Sequence, residues 1–326
     1  MEMTSTYVDI RSPEVPMFDG VLFFPVTPFA RAGHIDKAAL AEHVGRGLDA
    51  GPGGVFAACG TGEFHALDPE EYGEVVRTAV ETTAGRVPVF AGTGGPLPLA
   101  WRLSRIAQDA GADGLLLLPP YLVESPPAGL VAYTRQVAAA SELPLIVYNR
   151  SNARYTPEAA AEVARLEKVV GFKDGVGDLD RLSRTVLAVR SALAGRDKPF
   201  QFFNGMPTAE VTVPAYRGIG VELYSSAVFC FAPEISHAFH RAVTTGDDAT
   251  RDLLLRDFFH PLVALRDRVP GYAVSLVKAA VTLRGHDVGG VRPPLTDPAP
   301  QHLERLRRIV GTGLEIAARS GKEAVR

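Results

Sequence analysis

Cysteine is scarce in this sequence: Cys59 and Cys230 are its only two. Two cysteines are too few for a disulfide framework, and their spacing is not that of a C-x-x-C motif. The first 18 residues contain three acidic side chains and one arginine. They lack the charged and apolar segments of a secretory signal peptide. Both features predict a protein of the reducing cytoplasm.

An excess of positive charge and a long hydrophobic run are also missing. The chain has 34 Lys and Arg residues against 37 Asp and Glu residues, a net charge of −3 at pH 7. This balance provides no basic field for a nucleic acid or an anionic membrane, and no apolar run approaches the roughly 18 residues of a membrane span. We therefore expect neither of these partners. With 46% hydrophobic and 22% charged residues, the composition indicates a globular protein that acts on a small molecule.

Short apolar runs recur along the first two thirds of the chain, at intervals of roughly 20 to 35 residues. They are nearly continuous in hydrophobicity rather than alternating, which is typical of strands buried on both faces of a parallel sheet. The predicted strands are Gly20–Val26, Gly54–Ala58, Val87–Ala91, Gly114–Leu118, Pro144–Tyr148, Val169–Lys173, Phe200–Asn204 and Ile219–Tyr224.

Helical patterns with recognisable ends lie between these runs. Asp36, Asp68 and Thr156 each precede one as an N-cap, and a proline follows Asp68 and Thr156 at the first helical position. The glycines expected to end helices are Gly51, Gly85 and Gly111. Eight strand–helix units in succession predict an α/β fold, a (β/α)8 TIM barrel. The rival doubly wound sheet lacks its G-x-G-x-x-G fingerprint here.

Beyond about Ala232 the strand pattern ends and only helices are predicted. The sequence therefore divides into an N-terminal arm (1–19), a catalytic barrel (20–231) and a helical extension (232–326) that includes the eighth barrel helix. The predicted helices of the extension are Glu234–Thr245, Ala249–Arg268, Ala273–Arg284 and Gln301–Ala318.

Active sites of TIM barrels lie at the carboxyl ends of the strands, where this sequence places Lys173 and Tyr148. Burial would lower the pKa of Lys173 and make it a nucleophilic amine able to form a Schiff base. The alternative is a lysine that reaches solvent or pairs with Asp174. Tyr148 ends the neighbouring strand, where a nearby cation would lower its pKa and let it shuttle protons. Its alternative is a rim tyrosine packed on the loop.

A glycine-rich loop, Gly60-Thr61-Gly62, follows the second strand. Its backbone N–H groups and the Thr61 hydroxyl could bind a substrate carboxylate, although a tight turn before the Asp68 cap would use the same residues. Cys59, just before the loop, fits a small buried filler better than a reactive thiol.

Small polar residues follow the last two strands: Asn204 and Gly205 after the seventh, Ser225 and Ser226 after the eighth. These groups could bind a hydroxylated substrate. A catalytic metal is not expected, because metal ions need convergent ligands. Only His237 and His240 have helical ligand spacing, and only His65 falls in a strand-end loop. Those three are too scattered to form one site.

Four motifs occur in an order that resembles the dihydrodipicolinate synthase / N-acetylneuraminate lyase superfamily, from about Val21 to Ala318. They are Thr27-Pro28-Phe29, Gly60-Thr61-Gly62-Glu63, Tyr148-Asn149 and Gly171-Phe172-Lys173-Asp174. The resemblance implies a Schiff-base barrel with a C-terminal helical extension and no cofactor beyond the covalent bond to Lys173. It also implies that Tyr148 transfers protons, that the Thr61 loop and Gly205 bind the keto-acid carboxylate, and that the enzyme is a tetramer built from two dimers.

Within that superfamily the sequence most resembles the decarboxylating dehydratases of 5-dehydro-4-deoxyglucarate in D-glucarate degradation. Four stretches carry this likeness: Gly60–Phe64, Pro119–Leu122, Phe203–Pro207 and Tyr224–Ala227. The resemblance implies conversion of a keto sugar diacid to 2,5-dioxopentanoate, carbon dioxide and water. Gly60 and Leu122 depart from the synthase pattern, which has a threonine and a tyrosine there. Glu222-Leu223 departs from the dehydratase branch, where Pro-Thr is expected.

The partner of the distal carboxylate and the exact activity stay open at this point. Candidates for that carboxylate are Arg150, Arg154, Asn204, Ser225 and Ser226. The neutral groups are favoured, because a tight arginine grip would stabilise a carboxylate that must leave. Two alternatives to the dehydratase remain: another Schiff-base aldolase or synthase of the superfamily, and an inactive barrel that only binds a ligand.

Overall fold

The computed structural model describes residues 16–323, with side chains to residue 321. Eight parallel strands pair in sequence order, and β1 pairs with β8 to close a barrel. Closure confirms the TIM barrel and rules out the doubly wound sheet. Residues 1–15 of the expected N-terminal arm lie outside the described residues. The strands are β1 Leu22–Phe23, β2 Gly54–Ala57, β3 Val89–Thr93, β4 Gly114–Leu117, β5 Leu145–Asn149, β6 Val169–Asp174, β7 Gln201–Asn204 and β8 Leu223–Ser226.

The eighth strand starts later than the sequence predicted. The apolar run Ile219–Tyr224 contains the turn after the seventh barrel helix, in which Gly220 has φ +83°, and only its last two residues enter β8. An apolar run alone does not separate a buried turn from a buried strand. The departure Glu222-Leu223 thus lies where β8 begins, at the end of the barrel opposite the carboxyl ends of the strands.

Seven helices follow the first seven strands in alternation, and the predicted caps are confirmed. Asp36 accepts a hydrogen bond from the Ala39 amide (3.0 Å), and Asp68 forms a capping box with Glu71. The helices are α1 Lys37–Asp49, α2 Pro69–Thr83, α3 Leu97–Asp109, α4 Pro127–Ala138, α5 Pro157–Ala164, α6 Leu179–Leu193 and α7 Val213–Gly218. Gly51, Gly85 and Gly111 lie just beyond the ends of α1, α2 and α3 with positive φ.

The C-terminal extension is helical, as predicted. One difference is internal: the predicted helix Ala249–Arg268 contains a π-helical turn, Leu255–Phe259, between α9 and α10. Its Phe258 and Phe259 are fully buried. The helices are α8 Pro233–Thr245, α9 Asp248–Leu254, α10 His260–Arg266, α11 Tyr272–Leu283 and α12 Pro300–Glu323. Over residues 16–323, no helix combines the length and the apolar character that crossing a membrane requires.

Two apolar layers stabilise the barrel. The larger packs the helices against the outside of the sheet, and the smaller fills the barrel interior with aromatic and aliphatic side chains. Phe24 and Phe56 stack inside the barrel with ring centroids 4.5 Å apart. Tyr148 belongs to the same interior cluster. The interior layer therefore forms the apolar floor beneath the carboxyl ends of the strands.

Candidate active site

A cavity of about 820 Å³ opens at the carboxyl ends of the strands. Its walls come from the strand-end loops and from α10 and α11 of the extension. Such a volume suits a small organic ligand. The predicted site residues that line it are Gly60, Thr61, Tyr148, Arg150, Lys173, Gly205 and Ser225.

Lys173 lies at the floor of this cavity and is 4% exposed. Its Nζ is 4.0 Å from the centroid of the Phe24 ring and 4.8 Å from that of Tyr148. Burial lowers the pKa of Lys173 from 10.5 to about 7, because the ammonium loses its hydration. A substantial fraction of the amine is therefore free and nucleophilic near neutral pH.

Asp174 does not pair with Lys173, because consecutive residues of β6 point to opposite faces of the strand. Its carboxylate accepts hydrogen bonds from Asn149 Nδ2 (2.6 Å), the Tyr216 hydroxyl (2.6 Å) and the Gly177 amide (3.1 Å). This buried network joins the ends of β5 and β6 and was missed by the sequence analysis. The alternation of side chains between the two faces of β6 could have shown that Asp174 points away from Lys173.

Tyr148 lies beside Lys173, since the two residues are register partners on β5 and β6. Its hydroxyl donates to the Gly205 carbonyl (2.5 Å) and accepts from Arg150 Nη1 (2.8 Å). The pKa of Tyr148 is nevertheless raised, because desolvation outweighs the opposing effect of Arg150. The prediction of a lowered pKa is wrong: the phenol is held as a proton donor at neutral pH.

Gly205 packs against both of these side chains. A Cβ at this position would lie 2.6 Å from Lys173 Cε and 2.6 Å from Tyr148 Cε2. Its amide donates a hydrogen bond to the Asp174 carbonyl (2.6 Å), and its carbonyl accepts a hydrogen bond from the Tyr148 hydroxyl. The absence of a side chain thus lets β5, β6 and β7 converge at the lysine.

The predicted carboxylate-binding residues Gly60-Thr61-Gly62 lie in a loop that spans residues 58–63 in the structure, and this loop presents Gly60 and Thr61 to the cavity. Ala58 and Glu63 at its two ends have left-handed backbone conformations, with φ of 48° and 55°. Within residues 16–323, the amides of Gly60 and Thr61 have no protein acceptor at hydrogen-bond distance. These two donors are available to an anionic ligand.

Three predicted contacts are not brought to the cavity wall. Gly62 is a buried residue of the loop, and its carbonyl accepts a hydrogen bond from Thr27 Oγ1 (2.7 Å). The amide group of Asn204 donates to Thr212 Oγ1 (2.8 Å) and the Ala209 carbonyl, and it accepts from the Met206 amide. Ser226 donates to Glu210 Oε1 (2.5 Å). The polar groups of these three residues form hydrogen bonds with other protein groups. A small polar residue near the end of a strand therefore did not by itself predict a contact with the ligand.

Two candidates for the distal carboxylate remain at the cavity. Arg150 is half-buried and uses one guanidinium donor for Tyr148, and Ser225 lines the wall from β8. Arg154 is exposed and donates to the Ser151 carbonyl. Of the neutral groups that were favoured, only Ser225 therefore remains, and Arg150, whose Nη1 lies 2.8 Å from the Tyr148 hydroxyl, is the cationic candidate.

The other reactive residue types at the site are accounted for. Burial raises the pKa of the Cys59 thiol to about 12, which fits a filler rather than a nucleophile. His65 lines the cavity rim. In the part of the chain that the structure describes, no group of three or more His, Cys, Asp or Glu side chains could hold a metal ion.

The C-terminal extension also lines the cavity, which the sequence analysis did not anticipate. Arg266 of α10 donates to the Pro207 carbonyl (2.9 Å), and Tyr272 and Val277 of α11 face the cavity. Leu122, where the synthases were expected to have a tyrosine, is 83% exposed on the rim. Sequence periodicity assigns helices but does not show which one covers the barrel mouth.

Comparisons with known proteins agree with this geometry. The model of the dihydrodipicolinate synthetase family matches residues 17–312. A probable 5-dehydro-4-deoxyglucarate dehydratase of Streptomyces avermitilis is 57% identical over 297 residues, which cover 91% of this chain and 94% of the relative. One of Paracidovorax citrulli is 43% identical over 295 residues, covering 90% and 95%.

Solved structures of related proteins have the same fold. The dihydrodipicolinate synthase of Oceanobacillus iheyensis superposes with a TM-score of 0.83 at 27% identity, covering 91% of this chain and 97% of that one. A prophage protein of the same family from E. coli K12, solved in complex with pyruvate, gives a TM-score of 0.81 at 27% identity, covering 91% and 99%.

Proposed function

The chain belongs to the dihydrodipicolinate synthetase family, and we propose that it is a decarboxylating 5-dehydro-4-deoxyglucarate dehydratase. The observation that carries the proposal is Lys173, a buried amine with a pKa of about 7 at the floor of the cavity. The relatives named for this activity, at 57% and 43% identity, support the choice within the family.

The reaction begins at the ketone next to one carboxylate, with that carboxylate carbon numbered C1. The free Nζ of Lys173 attacks C2, and loss of water from the adduct gives an iminium. Tyr148 can donate the proton that this departing water needs, because burial keeps its hydroxyl protonated. The proton is returned through the same hydroxyl in later steps.

Dehydration follows from the positive charge on the iminium nitrogen. That charge acidifies the C3 protons, and loss of one gives an enamine. The enamine electrons expel the C4 hydroxyl as water, for which Tyr148 is the candidate proton donor. The product is an iminium conjugated with a C3–C4 double bond.

Decarboxylation uses the same covalent bond as an electron sink. The C5–C6 bond breaks, C6 leaves as carbon dioxide, and the bonding electrons move through C4 and C3 to the nitrogen. Tautomerisation and hydrolysis then release 2,5-dioxopentanoate and regenerate Lys173. One lysine therefore serves both steps, and the sequence of steps calls on no external cofactor.

Two regions of the cavity are assigned to the two carboxylates. The amides of Gly60 and Thr61, which have no acceptor among residues 16–323, bind the C1 carboxylate together with Gly205, which packs against Lys173. Arg150 and Ser225 are left for the C6 carboxylate. Because Arg150 already donates to Tyr148, only part of its guanidinium is free, which limits the grip on a group that must leave.

The setting of the enzyme extends the proposal. The substrate is a keto sugar diacid of D-glucarate degradation, consumed in the cytoplasm. By analogy with the family, the 34.8 kDa chain assembles into a homotetramer of two dimers. The catalytic barrel and its helical extension, divided near residue 231, act as one enzyme.

Product analysis tests the activity. Purified protein should convert 5-dehydro-4-deoxyglucarate to carbon dioxide and 2,5-dioxopentanoate in equal amounts. An aldolase would release pyruvate instead, and an inactive barrel would leave the substrate unchanged. Either of these results would overturn the proposal.

A further inference from the structure

We propose that Glu63 and Lys278 are positioning residues: their buried ion pair lets the C-terminal extension hold the carboxylate-binding loop in its working shape. This inference rests on the proposed function, because it concerns how that loop recognises the C1 carboxylate. Neither residue lines the cavity. They act through the backbone of Gly60 and Thr61.

The ion pair joins the loop to α11 across 215 residues of sequence. Lys278 Nζ lies 2.8 Å from Glu63 Oε1, and the two side chains are 1% and 0% exposed. The second carboxylate oxygen, Oε2, accepts the Arg292 amide (2.9 Å). Lys278 also donates to the Gly290 carbonyl (2.6 Å). Both oxygens of Glu63 are therefore held by the extension.

A second contact holds the segment just after the loop. The Arg292 guanidinium binds both carboxylate oxygens of Glu71 (2.5 and 2.6 Å) and donates to the Ala66 carbonyl (2.7 Å). It packs 4.1 Å above the centroid of the Phe29 ring, and Lys278 Nζ lies 4.2 Å from that centroid. Lys278 and Arg292 of the extension thus hold the loop at Glu63, and Arg292 also holds the segment after the loop at Ala66.

The conformation of the loop explains why an anchor is needed. Glu63 adopts φ 55° and ψ 41°, a left-handed conformation that non-glycine residues disfavour. Strained backbone of this kind persists where its surroundings fix it, and it clusters at ligand-binding segments. The loop turns between two such residues, Ala58 and Glu63, with the cavity-lining Gly60 and Thr61 between them.

Stability alone does not account for a buried ion pair. Desolvation of the two charges offsets much of their attraction, and an apolar pair of similar size is often as stable. The directional bonds of Glu63 instead fix where the loop amides point. The face of α11 that carries Val277 lines the same cavity, so one helix both covers the substrate and holds its binding loop.

The test compares two ketones that react with the same lysine. Lys173 Nζ forms an iminium with pyruvate or with acetone by loss of water, and cyanoborohydride delivers hydride to the iminium carbon, leaving a stable secondary amine. Only pyruvate has a carboxylate. The ratio of their half-saturating concentrations therefore reports carboxylate recognition separately from amine reactivity.

The informative variant is Glu63→Gln/Lys278→Met. It removes both charges together, so the net charge is unchanged and no unpaired buried charge remains. We expect the half-saturating pyruvate concentration to rise about tenfold, with the value for acetone within about twofold of wild type. The control, Glu162→Gln/Arg135→Met, removes an exposed ion pair between α4 and α5 and should change neither value.

Each outcome separates the inference from the proposed function. Equal shifts for the two ketones, or no shift, in a variant whose thermal unfolding is cooperative would overturn the positioning role. If the wild type traps neither ketone on Lys173, the proposed function falls and this inference with it. If the double variant needs more pyruvate for half-saturation while its value for acetone is unchanged, but the wild type releases no carbon dioxide from the sugar acid, the positioning role is supported and the dehydratase activity is rejected.

Discussion

At the scale of single residues, the burial that makes Lys173 reactive also costs the folded protein stability. The sequence predicted that this lysine is buried and has a lowered pKa, because it ends an apolar strand. Its neighbour Tyr148 was placed correctly, but the direction of its pKa was not, because the desolvation of a phenol depends on packing from every side. The same limit applies to Asn204 and Ser226, whose partners became visible only once the loops were folded.

Lys173→Met is expected to abolish activity and raise the free energy of unfolding by about 1–3 kcal/mol at pH 7. The folded-state pKa of Lys173 is about 7, so between pH 7 and about 10.5 the unfolded chain binds a proton that the folded protein does not. Wild-type stability therefore rises with pH across this window.

The advantage of the methionine variant should accordingly shrink as the pH rises from 7 towards 10. Urea unfolding of both proteins at several pH values measures it. An advantage that grows towards pH 10, or a less stable variant at pH 7, would contradict the account of the buried amine.

Gly205→Ala should lower kcat/KM by at least about 100-fold, because the added Cβ would lie 2.6 Å from Lys173 Cε and displace the nucleophile. Steady-state kinetics measure the loss of kcat/KM, and the thermal midpoint shows whether the variant is still folded. The matched control is Gly45→Ala, where a Cβ meets open space on α1. That variant should keep full activity, and its free energy of unfolding should rise by about 0.5–1 kcal/mol. Comparable activity losses in both variants would refute the steric argument.

At the scale of elements, caps and prolines predicted helix starts well, since their signals are local. Strand limits were harder. Only two residues of the expected Gly20–Val26 form β1, and the run Ile219–Tyr224 mixed a turn with β8. The π-helical turn within the expected helix Ala249–Arg268 had no sequence signal, because the packing of Phe258 and Phe259 is a tertiary property.

Asp36→Ala removes the acceptor for the Ala39 amide at the start of α1. We expect a loss of about 0.5–2 kcal/mol in unfolding free energy with unchanged kcat, because the cap is a local contact away from the cavity. Asp36→Asn, which can still accept that hydrogen bond, should retain most of the stability. Denaturant unfolding compares the three proteins. Equal losses in both variants would show that the cap geometry is not the cause.

At the scale of the whole molecule, the order of the strands could be predicted from the sequence, because each apolar run is a local signal. Eight such units in succession predicted the closed barrel. The anchoring of the loop by Lys278 was not readable, because its partner Glu63 is 215 residues away. The net charge of −3 gives no long-range attraction for a dianionic substrate. Local donors at the cavity must supply it, namely Arg150 and the amides of Gly60 and Thr61.

Covalent catalysis by Lys173 is the central claim, and mass spectrometry of the trapped enzyme tests it most directly. Protein turning over 5-dehydro-4-deoxyglucarate is treated with cyanoborohydride and digested with trypsin. Modification of Lys173 blocks cleavage there, so we predict a reduced adduct on the peptide spanning residues 169–181, with no such adduct and no carbon dioxide from Lys173→Met. Carbon dioxide release without an adduct on that peptide, or from the methionine variant, would contradict the central claim.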